Sequence, residues 1–355
     1  MNKRLDFLDY SRGVAALLVF FSHSLEHFIT GWKTIGSEFI NTGQSGIVIF
    51  FLVSGFIIPM SLERKGNQTA FWIGRVFRIY PIYILVFLIS LMLISMGINH
   101  EQKHFFDNIT KNIVAHLFFI QSYLPYEKFG ITDLVRGSWT LFIELIWYVF
   151  FSALFFFSAQ KKTQAISVFG SVLVLILCIA SLLTGKRIPF GIICCFQLCI
   201  AGFVYSRYYE NKISKTTFLL LTIASFLVIF FALFTGFHIQ KNPNFSSRCV
   251  FTSWATGIFI FNGFFLGGNY IKGLISKALR FLGDISYSLY LIHGCILLAL
   301  DQMIDFGAAD VMVHLLISLL LSYLTFKLVE KPFIAIGKRL IGQTGSVDNA
   351  SSSKA

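Results

Sequence analysis

The sequence predicts an all-α integral membrane protein: a bundle of about ten transmembrane helices plus one short re-entrant or interfacial segment. Three observations lead there. Of 355 residues, 56% are apolar and 13% are charged, whereas soluble domains are about a quarter charged and need that polar surface. The mean hydropathy is +0.74. The apolar residues also gather into runs of about 20, the length at which a helix crosses a bilayer, and the 42 Phe suit lipid-facing surfaces.

Taken in order, the apolar runs place spans at roughly 8–29, 44–62, 79–98, 138–158, 165–184, 188–208, 215–236, 248–267, 281–300 and 309–328. The stretch from Ile113 to Leu124 is too short to span and reads as the re-entrant or interfacial segment. The first run is interrupted by Arg12, His23, Glu26 and His27 and has no small-residue cleavage site after it. It is expected to stay as a span and not to be removed as a signal peptide. One membrane domain is expected over residues 1–341, followed by a disordered cytoplasmic tail over 342–355, which is rich in Gly, Ser, Asn and Ala.

The basic residues set the orientation. With the N-terminus inside, the cytoplasmic segments hold Lys3, Arg4, Arg12, Arg64, Lys65, Arg75, Arg78, Lys161, Lys162, Arg207, Lys212, Lys215, Lys272, Lys277, Arg280, Lys327, Lys331, Lys338, Arg339 and Lys354. These are 20 of the 29 Lys and Arg. Both termini are therefore expected in the cytoplasm, with the Asn99 to Gly137 segment outside. The same bias accounts for the net charge of +12, which reads as topology and attraction to anionic lipid, not as a nucleic-acid surface. All six Cys (178, 194, 195, 199, 249, 295) fall inside predicted spans and read as packing residues, with no disulfide and no metal site.

Ionisable groups inside a span are costly unless they face the bundle interior or a wet cavity. Four regions carry them. In the first span, Arg12 and His23 are eleven residues apart, close to three helical turns, so they share a face about 16 Å apart along the axis. If the core begins near Asp9, His23 lies roughly 21 Å into a bilayer about 30 Å thick. A snorkelling Arg with an incidental His is the bland alternative.

The second region is Arg75-Val-Phe-Arg78-Ile-Tyr80-Pro81. Its two guanidiniums, three residues apart, share a face on a helix and suit a phosphate. Positive-inside topology explains the same residues equally well. The third is Ser138-Trp139-Thr-Leu-Phe-Ile-Glu144, which puts Glu144 about 9 Å below the outer surface, close to the level of His23. Such a pair fits a proton-handling site, or a carboxylate that only ties two helices together. The fourth is Gly283-Asp284-Ile-Ser-Tyr-Ser-Leu-Tyr290-Leu-Ile-His293. There Ser286, Tyr290 and His293 share a face, and structural polar packing is the preferred reading.

Several motifs lead nowhere. His23-Ser-Leu-Glu26-His27 matches H-x-x-E-H, but it sits on an apolar helix with no persuasive third ligand, so no metal is expected. Neither a G-x-S-x-G elbow nor a Walker A loop occurs. Ser54, in Phe-Leu-Val-Ser54-Gly55-Phe, reads as close helix packing before it reads as a nucleophile.

Basic groups inside, with His and Glu toward the outside, suit an anionic donor that docks from the cytoplasm. Its reactive end would reach a base that accepts a proton from a hydroxyl. A transporter places charged groups at mid-depth as well, so both readings stay open on physical grounds.

Six of these segments, in this order, resemble the membrane acyltransferase-3 family of bacterial polysaccharide and O-antigen O-acetyltransferases. They are the Leu5 to Ala16 opening with Arg12 and the later His23; Phe-Phe-Leu-Val-Ser54-Gly55-Phe; Arg75 to Pro81; Ser138 to Glu144; Asp284 to His293; and Glu330-Lys-Pro332. The resemblance implies ten or more helices in the inner membrane and transfer of an acyl group, usually acetyl, from cytoplasmic acetyl-CoA. The acceptor it implies is a saccharide hydroxyl outside, on a glycan such as O-antigen or exopolysaccharide. It further implies Arg12 and His23 as the catalytic pair and Arg75 and Arg78 at the donor; Glu144 is expected beside the pair and Tyr80 beside the two arginines. Ser54, Trp139, Asp284, Tyr290 and His293 are expected in support. No fused hydrolase-like domain is expected. A transporter or exporter of glycan or lipid precursors, and a noncatalytic scaffold, are the competing classes.

Overall fold

The structure, a computed structural model, describes residues 4–98, 100–124, 126–135, 137–240, 242, 244–301 and 307–352. Lys3 and Lys354 of the orientation count, Asn99 at the start of the segment expected outside, and the last three residues of the expected tail lie outside them. Among the described residues the secondary structure is helical, with no strand.

Fourteen α-helices follow one another among the described residues: α1 Asp6–Phe28, α2 Trp32–Glu38, α3 Thr42–Lys65, α4 Gln68–Ser95, α5 Ile109–Leu117, α6 Tyr126–Phe129, α7 Trp139–Phe156, α8 Thr163–Thr184, α9 Phe190–Tyr209, α10 Lys215–Ile239, α11 Ser247–Gly267, α12 Gly273–Asp301, α13 Ala309–Thr325 and α14 Lys331–Ser352. A π-helical turn, Phe326–Glu330, joins α13 to α14. The chain thus stays helical past Gly342, where composition favours an irregular tail.

Nine of the described helical stretches are long and apolar enough to cross a membrane. The tenth expected span, α1, has the length at 23 residues but carries Asp6, Asp9, Arg12, His23, Glu26 and His27, and these ionisable groups dilute its apolar character. The segment around Ile113 forms the nine-residue α5 and a short 3-10 turn at Gln121–Tyr123, too short to cross a bilayer.

The largest boundary difference is at α4, which begins eleven residues ahead of the expected span. Asn67 caps it by accepting from the Ala70 N–H at 3.0 Å, and Gly66, with φ of +64°, turns the chain just before. The Arg75 to Pro81 element therefore lies inside a helix and not in a loop, with Pro81 in the helix interior.

The chain divides into two compact units. The first comprises residues 1–61 and 143–284, the second 62–142 and 285–355. In the first, glycines let backbones approach closely, as in membrane helix pairs. A Cβ on Gly55 would lie 2.1 Å from the Cys199 carbonyl oxygen, and one on Gly202 2.2 Å from that of Leu52, so α3 and α9 cross at these two residues. α8, α9 and α10 pack on one another and turn Leu183, Phe169 and Leu220 outward, as lipid-facing helices do. All six Cys are free and buried. In the second unit, α14 packs along α4, where a Cβ on Gly337 would meet the Phe77 Cβ at 2.9 Å.

Candidate active site

α1 carries the Arg12 and His23 pair. Asp6 and Asp9 in its first turn and His27 in its last turn complement the helix dipole. The helix is unbroken between them, so Arg12, Ala16, Val19 and His23 form one stripe at i, i+4, i+7 and i+11. Ala16 and Val19 are buried, at 1% and 3% exposure, while Arg12 and His23 are partly exposed. The stripe therefore faces protein over its middle and not lipid. α3 covers it: a Cβ on Gly46 would sit 2.5 Å from the Ala15 carbonyl oxygen and 2.8 Å from Val19 Cγ2. At the Arg12 end, Gly13 and Gly283 bring α1 against the start of α12. A Cβ on Gly13 would lie 2.7 Å from Leu282 Cβ, and one on Gly283 2.4 Å from the Asp9 carbonyl oxygen.

Ion pairs hold the same end. Arg4 donates to Asp9 at 2.5 Å and to Asp284 at 2.7 Å, and Arg280 donates to Asp6 at 2.6 Å. Asp284 is 42% exposed, so this is a surface tether of small energetic value.

At the His23 end, the Glu26 carboxylate accepts from Ser22 Oγ at 2.9 Å and from Asn41 Nδ2 at 2.8 Å. Asn41 in turn accepts from the Gln44 N–H near the start of α3 and donates its own N–H to Ser253 Oγ. The sequence motif H-x-x-E-H thus contains a carboxylate committed to hydroxyl and amide donors. Among the described residues, no three His, Cys, Asp or Glu side chains gather as a metal site would need.

Ser54 and Glu144 meet. The Ser54 hydroxyl on α3 donates to Glu144 Oε1 on α7 at 3.2 Å. Tyr148, one turn further along α7, donates its phenol to the same oxygen. Two hydroxyl donors from two helices fix a half-buried carboxylate as their shared acceptor. Tyr148 was not singled out from the sequence; its i+4 spacing from Glu144 was the available signal.

The remaining predicted residues lie in the second unit. Arg75 and Arg78 are partly exposed on α4, three residues apart on one continuous helix. The Arg75 guanidinium sits over the Phe71 ring, 5.3 Å from its centroid. Two lysines that sequence reasoning assigned only to topology join this region. Lys65 Nζ donates to the Ala70 carbonyl at 2.9 Å and lies in the field of both Arg75 and Lys338. A Cβ on Gly74 would be 2.4 Å from Lys65 Nζ, so the glycine makes room for the ammonium. Arg75 is therefore one of at least three neighbouring cations.

Tyr80 donates its hydroxyl to the Leu117 carbonyl at 2.8 Å and packs its ring on Phe119, which ties it to the end of α5. The Trp139 carbonyl accepts from Tyr123 OH at 2.9 Å. Tyr290 donates to the Gly137 carbonyl at 2.9 Å and bonds Thr140 Oγ1 at 2.9 Å. His293 is buried at 2%, with Nδ1 on the Leu289 carbonyl at 3.0 Å, and its own carbonyl bonds His314 Nε2 at 3.0 Å. The late-helix segment and the Glu330-Lys-Pro332 element are joined as well. Ser288 donates to Glu330 Oε2 at 2.9 Å, and Glu330 is 2% exposed.

The segment between α4 and α7 folds around buried polar groups. His116 donates from Nδ1 to the Asn112 carbonyl at 2.9 Å, and its Nε2 accepts from the Leu134 N–H at 3.2 Å. With both ring nitrogens engaged this way the imidazole is neutral, and burial lowers its pKa to about 4. Asp133 nearby is pushed above the usual carboxylate range by burial, against the opposing hydrogen bonds from Ser122 and Val135.

The family's sequence profile, described as an acyltransferase domain, matches residues 5–327. The chain belongs to the acyltransferase-3 family. Every candidate side chain from Arg12 to His293 falls within the acyltransferase-3 match, and Glu330 lies just beyond it. With its apolar helices, membership makes the chain a multi-pass membrane protein.

Among relatives, it is 30% identical over 152 residues to "Acyltransferase MdmB" of Streptomyces mycarofaciens, covering 42% of this chain and 38% of the relative. It is 23% identical over 367 residues to "Putative O-acetyltransferase SACOL0978" of Staphylococcus aureus (strain COL), covering 92% and 56%. Against "Nodulation protein 10" of Rhizobium leguminosarum bv. viciae it is 28% identical over 157 residues, covering 40% and 41%. The matches thus span between 38% and 56% of these relatives' own length. No solved structure matches the chain.

Proposed function

We propose that this protein is a membrane-embedded O-acyltransferase of the inner membrane, with both termini cytoplasmic. In this reading it moves an acyl group, most simply acetyl, from cytoplasmic acyl-CoA to a hydroxyl of an extracytoplasmic glycan such as O-antigen or exopolysaccharide. The observation that carries the reading is the inward stripe on α1. An Arg and a His share the face whose middle residues, Ala16 and Val19, are buried against protein. A scaffold has little use for two ionisable groups on a helix face packed against protein, since such groups among membrane helices are costly without function.

In the proposed reaction His23 takes the proton from the acceptor hydroxyl. The hydroxyl oxygen attacks the thioester carbonyl, a carbon–oxygen bond forms, and the carbon–sulfur bond breaks. The proton on His23 passes to the departing CoA thiolate. Arg12, about 16 Å along the same helix face, takes an anionic part of the donor. Glu144, fixed by Ser54 and Tyr148, supports the protonated imidazole electrostatically. Arg75 and Arg78 take donor phosphates, for which a guanidinium fork is suited.

The relatives' names, an acyltransferase and a putative O-acetyltransferase, support this class. The test is chemical. Purified protein supplied with acetyl-CoA and a glycan acceptor should form an acetyl ester, and surface glycan from cells lacking the protein should lose that ester. Transport of an unmodified precursor without ester formation would place the protein in the exporter class instead.

A further inference from the structure

In the first unit, α7, α8 and α9 enclose an apolar groove of about 530 Å³, a volume typical of ligand sites. Phe150, Phe169, Leu173, Leu177, Phe196 and Ile200 form its walls, and two polar residues interrupt them: Lys162 and Gln197. Lys162 opens α8 as its N-cap residue, and Lys161 precedes it; both are exposed. Leu177 lies about 22 Å further along α8 by helix rise. That length exceeds one leaflet of a bilayer core about 30 Å thick.

Gln197 lies between walls and core at 1% exposure. Its Nε2 donates to Ser171 Oγ at 3.0 Å and to Ser225 Oγ at 3.2 Å. Its Oε1 is buried and has no hydrogen-bond partner among the described residues, a costly condition in apolar surroundings. The adjoining wall is open at this point because residue 170 is glycine. A Cβ there would come 3.1 Å from Gln197 Oε1 and 2.5 Å from Ile200 Cδ1. Gly170 is about 12 Å along α8 from Lys162 by helix rise. The groove therefore has a cationic mouth, a polar point about 12 Å in, and apolar walls beyond.

We infer that this groove holds one acyl chain of an anionic phospholipid, with its phosphate at Lys161 and Lys162 and its glycerol-ester region against Gln197. Lysines at a helix end attract anionic headgroups, and the chain fills the walls that no protein side chain fills. The serine hydroxyls both donate and accept, so the Gln197 amide can turn over: Oε1 then accepts from Ser171 and Ser225, and Nε2 donates to an ester carbonyl of the lipid. The site is independent of the acyltransferase reaction and involves none of its proposed residues.

The experiment uses the full chain in phosphatidylcholine nanodiscs, doped with a diazirine-bearing phosphatidylglycerol or with the matching phosphatidylcholine probe. After irradiation, labelled peptides are mapped by mass spectrometry. The phosphatidylglycerol probe should label peptides covering 162–177 and 193–200 above those carrying Leu220 and Leu227 of α10, which are 65% and 66% exposed. Lys162→Glu should cut that labelling by roughly fivefold, the effect of one lysine on an anionic headgroup. Leu173→Trp should reduce labelling by both probes, because it fills the groove. Leu173 is 45% exposed, so this variant avoids the tight contact at Gly170. Equal labelling of the groove and the α10 face, or equal labelling by both probes unaffected by Lys162→Glu, would mean ordinary annular lipid and would overturn the inference.

Discussion

Ser54 on α3 donates a hydrogen bond to Glu144 on α7, joining residues 90 apart in sequence at 3.2 Å. The bond makes Ser54 a holder of a carboxylate. Its neighbour Gly55 meanwhile allows the α3 and α9 backbones to touch. Ser54→Ala should therefore cost about 1 kcal/mol of stability, the net value of an ordinary hydrogen bond, and keep acyl transfer within about tenfold, since Tyr148 still holds Glu144. A nucleophilic serine would lose orders of magnitude more. Thermal unfolding in detergent together with the transfer assay separates the two.

Glu144→Gln keeps the size of the side chain and removes the charge proposed to support protonated His23. Transfer should fall by about tenfold to a hundredfold, with the loss in kcat and little change in KM, because the charge matters most once the imidazole is protonated. A rise in KM alone would assign Glu144 to binding.

His23→Ala should abolish measurable transfer in a protein that still inserts and melts cooperatively, since loss of a general base costs about 10² to 10⁴ in rate. Near-normal transfer by this variant would remove His23 from the mechanism and leave the α1 stripe as packing.

At the basic region of the second unit, Arg78→Ala and Arg75→Ala should weaken acyl-CoA binding by about tenfold, in the range of a lost charge-assisted hydrogen bond. Arg→Lys at each site should recover part of that loss but not all, because Lys keeps the charge without the bidentate fork. Lys65, in the field of Arg75, makes the region tolerant of one change, so the double alanine variant gives the larger effect. Unchanged CoA affinity in the double variant would leave these arginines with topology alone.

The segment between α4 and α7 should loosen in acid. His116 is held neutral by burial, with its pKa lowered to about 4, against about 6.5 in an unfolded chain. Between those values the unfolded segment takes up a proton that the folded one resists. The contribution is thus fully present above about pH 6.5 and is lost as pH falls through about 4. Asp133, raised by burial, works with the opposite sign: its contribution is present in acid and lost as pH rises. His116→Gln isolates the histidine. Exchange of the Leu134 amide, which bonds His116 Nε2, should quicken in the natural protein from pH 6.5 to 4 beyond the intrinsic trend, and should lose that dependence in His116→Gln. The same acid response in both would show that His116 is not the group responsible.

Much of the fold follows from local chemistry that one sequence displays. Runs of apolar residues mark the spans, and the eleven-residue interval of Arg12 and His23 survives because nothing breaks α1. What was hidden depends on tertiary partners. The Asn67 cap moves the start of α4 back so that Arg75 and Arg78 lie within a helix. Ser288 and Glu330, 42 residues apart, join two motifs that look separate along the chain. Tyr148, Gln197 and Lys338 read as ordinary span or boundary residues until neighbouring helices place them. α1 shows a different limit: the ionisable groups that make it a candidate site also lower the apolar signal by which a span is recognised.

Transfer from a donor inside to an acceptor outside can be followed in sealed vesicles of known orientation. Labelled acetyl-CoA is supplied only at the cytoplasmic face, and the glycan acceptor only at the external face. Labelled ester should appear on the external glycan in this arrangement and be lost with His23→Ala. Ester formation only when donor and acceptor share the cytoplasmic face would contradict it.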